Sequence, residues 1–228
     1  MQAHSAKNST RLKAPSQLRR QWSASLALLV AFFLLGNLAG CDPTPAESSN
    51  PPKRDTLPVM NQKPLPAFSF MNQDSQMVSE KEVMGRVHVA DFFFTSCPTI
   101  CPRMKANMLT VYEEFQSEDR ILLVSHSIDT RHDSVPVLKA YAEKLEVAAP
   151  RWNFVTGEKE HILGMAKHYM IAAMEDSTAP GGYAHSGAMI LFDGERNIRG
   201  YYDGTSAEET KELIRDMHRL LQESSPTP

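Results

Sequence analysis

An α/β fold, built on a mixed central sheet with helices on both faces, is predicted by two features of this 228-residue chain. From Val87 to Tyr169, short β-branched and aromatic runs alternate with segments whose apolar residues recur at helical spacing. Two thiols, Cys97 and Cys101, follow directly on the first of those runs and open the first of those helices, where an α/β fold keeps its chemistry.

In chain order, residues 87–94 form an unbroken β-branched and aromatic run that reads as a strand. Pro102 opens a helix predicted to reach Glu118, with Met104, Met108, Val111 and Phe115 on one face. Residues 121–128 make a second buried strand and residues 135–145 a second helix, with Ser134 as its N-cap and Pro136 in its first turn. A short strand at 152–155 and a helix from Lys159 to about Tyr169 follow. Residues 170–184 contain Pro180-Gly181-Gly182 and no clear period, so they read as a loop or a small inserted hairpin leading to His185. Residues 186–192 and 198–202 flank Asp193-Gly194 and should pair as an antiparallel hairpin. Residues 207–222 close the domain as an amphipathic helix capped by Thr205 or Ser206. Parallel crossovers first, then a C-terminal β-hairpin plus helix, describe a thioredoxin-like fold.

Ahead of this domain, Lys7, Arg11, Lys13, Arg19 and Arg20 precede an apolar core at residues 26–35, and Leu38-Ala39-Gly40-Cys41 follows. A basic stretch and a short apolar core fit a secretory signal rather than a spanning helix. The ending resembles a bacterial lipobox, whose cysteine, here Cys41, would carry a lipid anchor. On this reading residues 1–40 are a lipoprotein signal peptide, 41–64 a flexible tether rich in Pro, Ser and Asn, 65–223 one domain and 224–228 a disordered tail. The domain is expected on the exported, periplasmic side of a bacterial envelope, held to a membrane by its lipid. Loss of residues 1–40 removes five basic and no acidic residues, leaving 19 basic against 27 acidic. A net charge of −8 speaks against nucleic acid as a partner.

With Cys41 acylated, Cys97 and Cys101 have no other thiol to pair with. A structural disulfide between them would close too short a loop to remove much chain entropy, so redox or metal chemistry is the stronger reason for the pair. A helix N-terminus also favours thiolate over thiol at that position. His185, between a Gly-rich loop and a strand, is the candidate third ligand; His126 should be packed within its strand and His132 exposed in a polar loop. Two thiolates and an imidazole form a soft site suited to Cu(I), able to take Cu(II) when a further ligand or water joins. Zinc would bind too, although its structural sites usually want four protein ligands. Asp129 ends a strand on the side where such sheets place their sites, so it either orients a ligand or partner or caps the turn before Val135. Met104, Met108, Met165, Met170 and Met174 read as core filler rather than thioether ligands.

Several separated motifs then point to one family. Cys97-Pro-Thr-Ile-Cys101-Pro102, Ser127-Ile-Asp-Thr-Arg-His-Asp-Ser-Val-Pro136 followed by Leu138-Lys-Ala-Tyr141, Trp152 with Thr156-Gly157, and His185-Ser186 before an apolar strand resemble, in this order, the Sco/SenC proteins. The resemblance implies a membrane-tethered thioredoxin-like copper protein involved in cytochrome c oxidase assembly, with Cys97, Cys101 and His185 as copper ligands. Its implied partner is the copper-site subunit of an oxidase or a similar exported cuproprotein. Thr130 stands where the family usually has proline and Ser134 where threonine is common; neither belongs to the ligand set.

Two functions follow. One is a copper chaperone or assembly factor without turnover. The other is a thiol-disulfide oxidoreductase using Cys97 and Cys101 as its redox-active pair, with His185 tuning the thiolates. The three-residue spacing favours the first, because thioredoxin-type reductants use Cys-x-x-Cys. A peroxidase rests on fold analogy alone.

Overall fold

The computed structural model of the chain describes residues 56–61 and 65–223. Cys41, the signal segment and the C-terminal tail lie outside the described residues, among which no helix is long and apolar enough to cross a membrane.

β1 (Ser69–Asn72) and β2 (Met77–Ser79) form an antiparallel hairpin, followed at once by the short helix α1 (Glu80–Val83). These elements add to the architecture expected from sequence. Their local reasons are plain: the Asn72 side-chain oxygen accepts the N–H groups of Asp74 and Gln76, each at 2.9 Å, which closes the turn. Ser79 and Glu82 then cap α1 reciprocally.

The core alternation follows as β3 (Val87–Phe93), α2 (Cys101–Glu114), β4 (Ile121–Ser127), α3 (Val135–Lys144) and β5 (Trp152–Thr156), with β3, β4 and β5 parallel. Next come α4 (Lys159–His168) and a separate two-stranded hairpin of β6 (Ala173–Glu175) and β7 (Tyr183–His185). β8 (Ala188–Phe192) and β9 (Ile198–Asp203) pair antiparallel before the closing helix α5 (Ala207–Glu223). The main sheet has the order β2-β1-β5-β4-β3-β8-β9 and is mixed, as predicted.

β3 and β4 are buried along their whole length because each is covered on both faces. On one face Phe93 packs with Phe154 and with Tyr141 of α3, and Lys105 of α2 reaches over the same ring. On the other, Phe92, His126, Phe192 and Tyr169 form a cluster that follows α4. Met104, Met108 and Met165 belong to the core, whereas Met170 and Met174 are about half exposed and fill nothing.

α2 begins one residue earlier than expected and ends four residues sooner, at Glu114. Its last turn tightens there: Gln116 and Glu118 donate to carbonyls three residues back rather than four. Pro102 therefore occupies the second helical position, where its missing N–H still costs no helical bond. Ser134 stands at the N-cap of α3 without a side-chain bond to the helix, and Ser206 caps α5 through the Glu209 N–H at 3.2 Å.

Part of the segment ahead of the domain lies along the edge strand β9. Met60 N–H donates to the Ile198 carbonyl at 2.8 Å, and Asn61 Oδ1 accepts the Ile198 N–H at 2.6 Å. Arg199, almost fully buried, donates to the Leu57 carbonyl at 2.6 Å, to Glu223 at 2.8 Å and to Asp193 at 3.0 Å.

Candidate metal centre

β3 delivers the chain to the loop 94–100, and the first turn of α2 takes it away again, so Cys97 sits in that loop and Cys101 at the first helical residue. His185 arrives from a different direction, on the last residue of β7, in the hairpin outside the main sheet. The sulfur atoms of Cys97 and Cys101 and a ring nitrogen of His185 all lie within 4.8 Å of one another. Among the described residues this is the one such group of three or more possible ligands. Both cysteines are buried free thiols, and the imidazole is partly buried.

The histidine presents its Nε2 to the sulfurs. Its Nδ1 lies 3.0 Å from the Ser186 carbonyl, which can only accept, so the ring proton sits on Nδ1 and the Nε2 lone pair faces Cys101 Sγ at 3.2 Å. Burial holds the imidazole below the usual histidine range, against the opposing pull of that carbonyl, and so favours the neutral, ligating form.

The thiols differ in a way sequence alone did not anticipate. Burial pushes the Cys97 thiol up, but hydrogen bonds from the Cys101 side chain, from the backbone N–H groups of Thr99 and Cys101 and from the Thr99 hydroxyl outweigh it, and the net direction is down. The backbone share of this is the helix-start effect expected for both cysteines; the largest single share comes from the Cys101 side chain. Cys101 goes the other way: deeper burial, reinforced by its hydrogen bond to Cys97, drives its thiol far up. Cys97 therefore gives up its proton more readily than Cys101.

Beneath Cys101, one turn along α2, Lys105 Nζ lies 2.5 Å from Asp91 on β3, both fully buried. Ser125 donates to Asp91 at 2.5 Å while accepting from Lys105 at 2.8 Å and from the Trp152 indole at 2.9 Å, so every polar atom of the cluster is partnered. Phe93 sits 4.3 Å from the ammonium. Neither ion stands out from the sequence pattern alone. A carboxylate inside an unbroken buried strand requires a partner, and a lysine four residues after Cys101 and three before Met108 lies on the buried face of its helix.

Asp129 does not touch the three candidate ligands. It is buried, accepts the Tyr183 hydroxyl at 2.9 Å and holds the exposed His132 ring at 2.8 Å, while its carbonyl accepts the N–H groups of His132 and Asp133. The turn role and a link toward the site are thus both present. Asp133, not singled out from sequence, is also buried and accepts the Thr95 N–H at 3.0 Å, the Thr95 hydroxyl at 2.5 Å and the Ser127 hydroxyl at 2.5 Å. His126 is packed, its ring stacked on Phe92.

Known proteins resemble this chain over the same span. The solved SCO1/SenC family lipoprotein from Bacillus anthracis is 32% identical, with a TM-score of 0.64 over 71% of this chain and 99% of its own. BsSco, described as a member of the Sco family of cytochrome c oxidase assembly proteins and as carrying a disulfide switch, is 26% identical at a TM-score of 0.64, covering 75% of this chain and 99% of its own. A SCO1 protein homolog from Bacillus subtilis is 28% identical over 152 residues, 66% of this chain and 79% of that protein. The SCO1/SenC family pattern matches residues 60–222, which take in both cysteines, His185 and the whole of the sheet, and the chain belongs to that family.

Proposed function

We propose that this protein is a lipid-anchored copper carrier that binds one copper ion through Cys97, Cys101 and His185 and delivers it to the copper site of an exported cytochrome c oxidase subunit. The observation that carries this reading is the convergence of two sulfurs and one proton-free imidazole nitrogen within 4.8 Å. Three soft or borderline donors suit Cu(I), and a set short of four suits a cargo that must leave again. Membership of the SCO1/SenC family and the description of BsSco as an oxidase assembly protein support the destination. The lipobox-like ending at Cys41, together with a lipoprotein relative 32% identical, supports the anchor and an exported domain.

Release follows from the same chemistry. Oxidation of Cys97 and Cys101 to a disulfide, with two electrons passing to an oxidised partner disulfide, removes two of three donors at once. The disulfide switch ascribed to BsSco supports that coupling.

A second reading, thiol-disulfide exchange with an exported partner, is favoured by the asymmetry of the thiols: Cys97 lowered as attacking thiolate and Cys101 raised as the buried resolving thiol. Anaerobic titration of the purified protein with Cu(I), beside a Cys97→Ala/Cys101→Ala variant, separates the two. One equivalent bound tightly by the wild type and lost in the variant supports the carrier; absence of saturable binding in the wild type leaves the exchange reading.

A further inference from the structure

The three candidate ligands come from two pieces that meet the main sheet at neighbouring strands: the loop and first helical turn that follow β3 carry Cys97 and Cys101, and the hairpin that leads into β8 carries His185. Both pieces are tied to one short stretch, the end of β4 and the turn after it, residues 127–133. Asp133 there takes both the backbone N–H and the hydroxyl of Thr95, two residues before Cys97. Asp129 takes the hydroxyl of Tyr183, two residues before His185 and on the same side of β7.

The two ties are built alike. Each carboxylate is almost wholly buried, each grips a residue at position minus two from a ligand, and each is held in turn by its own backbone: Asp133 N–H donates to the Asp129 carbonyl at 2.9 Å. Phe94 fills the space between the two pieces, its ring 5.3 Å from Tyr183 and edge-on to His185 at 6.0 Å. A Cβ on Gly181 would come within 2.7 Å of that ring, so the hairpin loop closes directly over it. Beyond the pairing of β3 with β8, both pieces are thus tied to two aspartates four residues apart on one turn.

We propose that Asp129 and Asp133 are a bracket of positioning residues, Asp133 holding the cysteine loop through Thr95 and Asp129 holding the histidine hairpin through Tyr183. This rests on His185 being a ligand. The two arms are separable: loosening Tyr183 frees only the imidazole and leaves both thiolates in place.

The test uses Tyr183→Phe, which keeps the ring against Phe94 and deletes only the hydroxyl, beside Asp129→Asn, whose side-chain oxygen still accepts, Asp129→Ala, and His185→Ala. Two readouts are taken on the purified protein: amide hydrogen exchange over residues 172–186 without metal, and the nitrogen hyperfine pattern in the electron paramagnetic resonance spectrum with Cu(II). The bracket predicts exchange roughly five- to tenfold faster in Tyr183→Phe and Asp129→Ala, from loss of one buried hydrogen bond, with near wild-type exchange in Asp129→Asn. It also predicts weakened nitrogen coupling in Tyr183→Phe and Asp129→Ala at unchanged Cu(I) stoichiometry. Wild-type exchange and spectra in Tyr183→Phe, with coupling lost in His185→Ala, overturn the bracket and leave the copper ligands standing. Wild-type coupling in His185→Ala overturns the ligand reading and with it the positioning role, even where the hairpin exchanges faster.

Discussion

Cys101 Sγ lies 3.2 Å from His185 Nε2 although 84 residues separate them, and the ring's other nitrogen is committed to the Ser186 carbonyl. The imidazole is held neutral, in one tautomer, with its lone pair on the sulfurs. Replacing His185 by Ala should therefore weaken copper binding by more than about 100-fold, beyond what loss of a supporting residue costs. Competition titration against a chelator of known affinity checks this; a change within a factor of about 3 would remove His185 from the ligand set.

Cys97 and Cys101 should not react alike. With the first thiol shifted down and the second far up, iodoacetamide at pH 7.5 is expected to label Cys97 at least ten times faster in the metal-free reduced protein. Peptide mass spectrometry over a time course reads the ratio. Equal rates would show that burial of Cys101 does not govern its reactivity.

The buried Lys105–Asp91 pair makes a stability prediction. Lys105→Ala strands a carboxylate at 0% exposure and should cost about 3–5 kcal/mol in urea unfolding. Lys105→Met combined with Asp91→Asn removes both charges, keeps most of the volume and should recover most of that loss. A single variant of wild-type stability would mean that water reaches Asp91.

Acid should destabilise the fold in a defined window. Burial drives His88 and His126 down to about 4, so between pH 6.5 and about 4 the unfolded chain binds protons that the native state does not. Stability is then full above pH 6.5, falls as pH drops through that interval by about 3 kcal/mol per histidine, and levels off below it. Urea midpoints measured from pH 7.5 to 4 test the slope, and His126→Phe should roughly halve it. A flat profile would contradict the burial of both rings.

Much of this was legible in advance, for physical reasons particular to each element. β3 and β4 announce themselves because strands covered on both faces are rich in β-branched and aromatic residues with no breaker, and the Asp193-Gly194 turn marks the last hairpin. Cys97, Cys101 and His185 were all singled out, and the structure brings all three together. The hairpin of β1 and β2 was missed although Phe68, Phe70 and Asn72 alternate inward and Ser79-x-x-Glu82 is a capping box; short edge strands carry too few residues for the pattern to stand out. Tyr183 and Asp133 were not foreseeable as partners of the site, since each acts through a contact across 38 residues or more. Opposite behaviour of the two thiols follows from depth of burial, which spacing does not encode.

The strip of chain at Leu57–Asn61 lies at the end of the sheet away from the thiols. Phe192 pairs with His88 on one side and Ile198 on the other, so Ile198, where Met60 and Asn61 attach, is level with the beginning of β3. The cysteine loop leaves β3 after Phe93, five residues on from His88 and roughly 17 Å away. The N-terminal approach and the thiols thus occupy opposite poles.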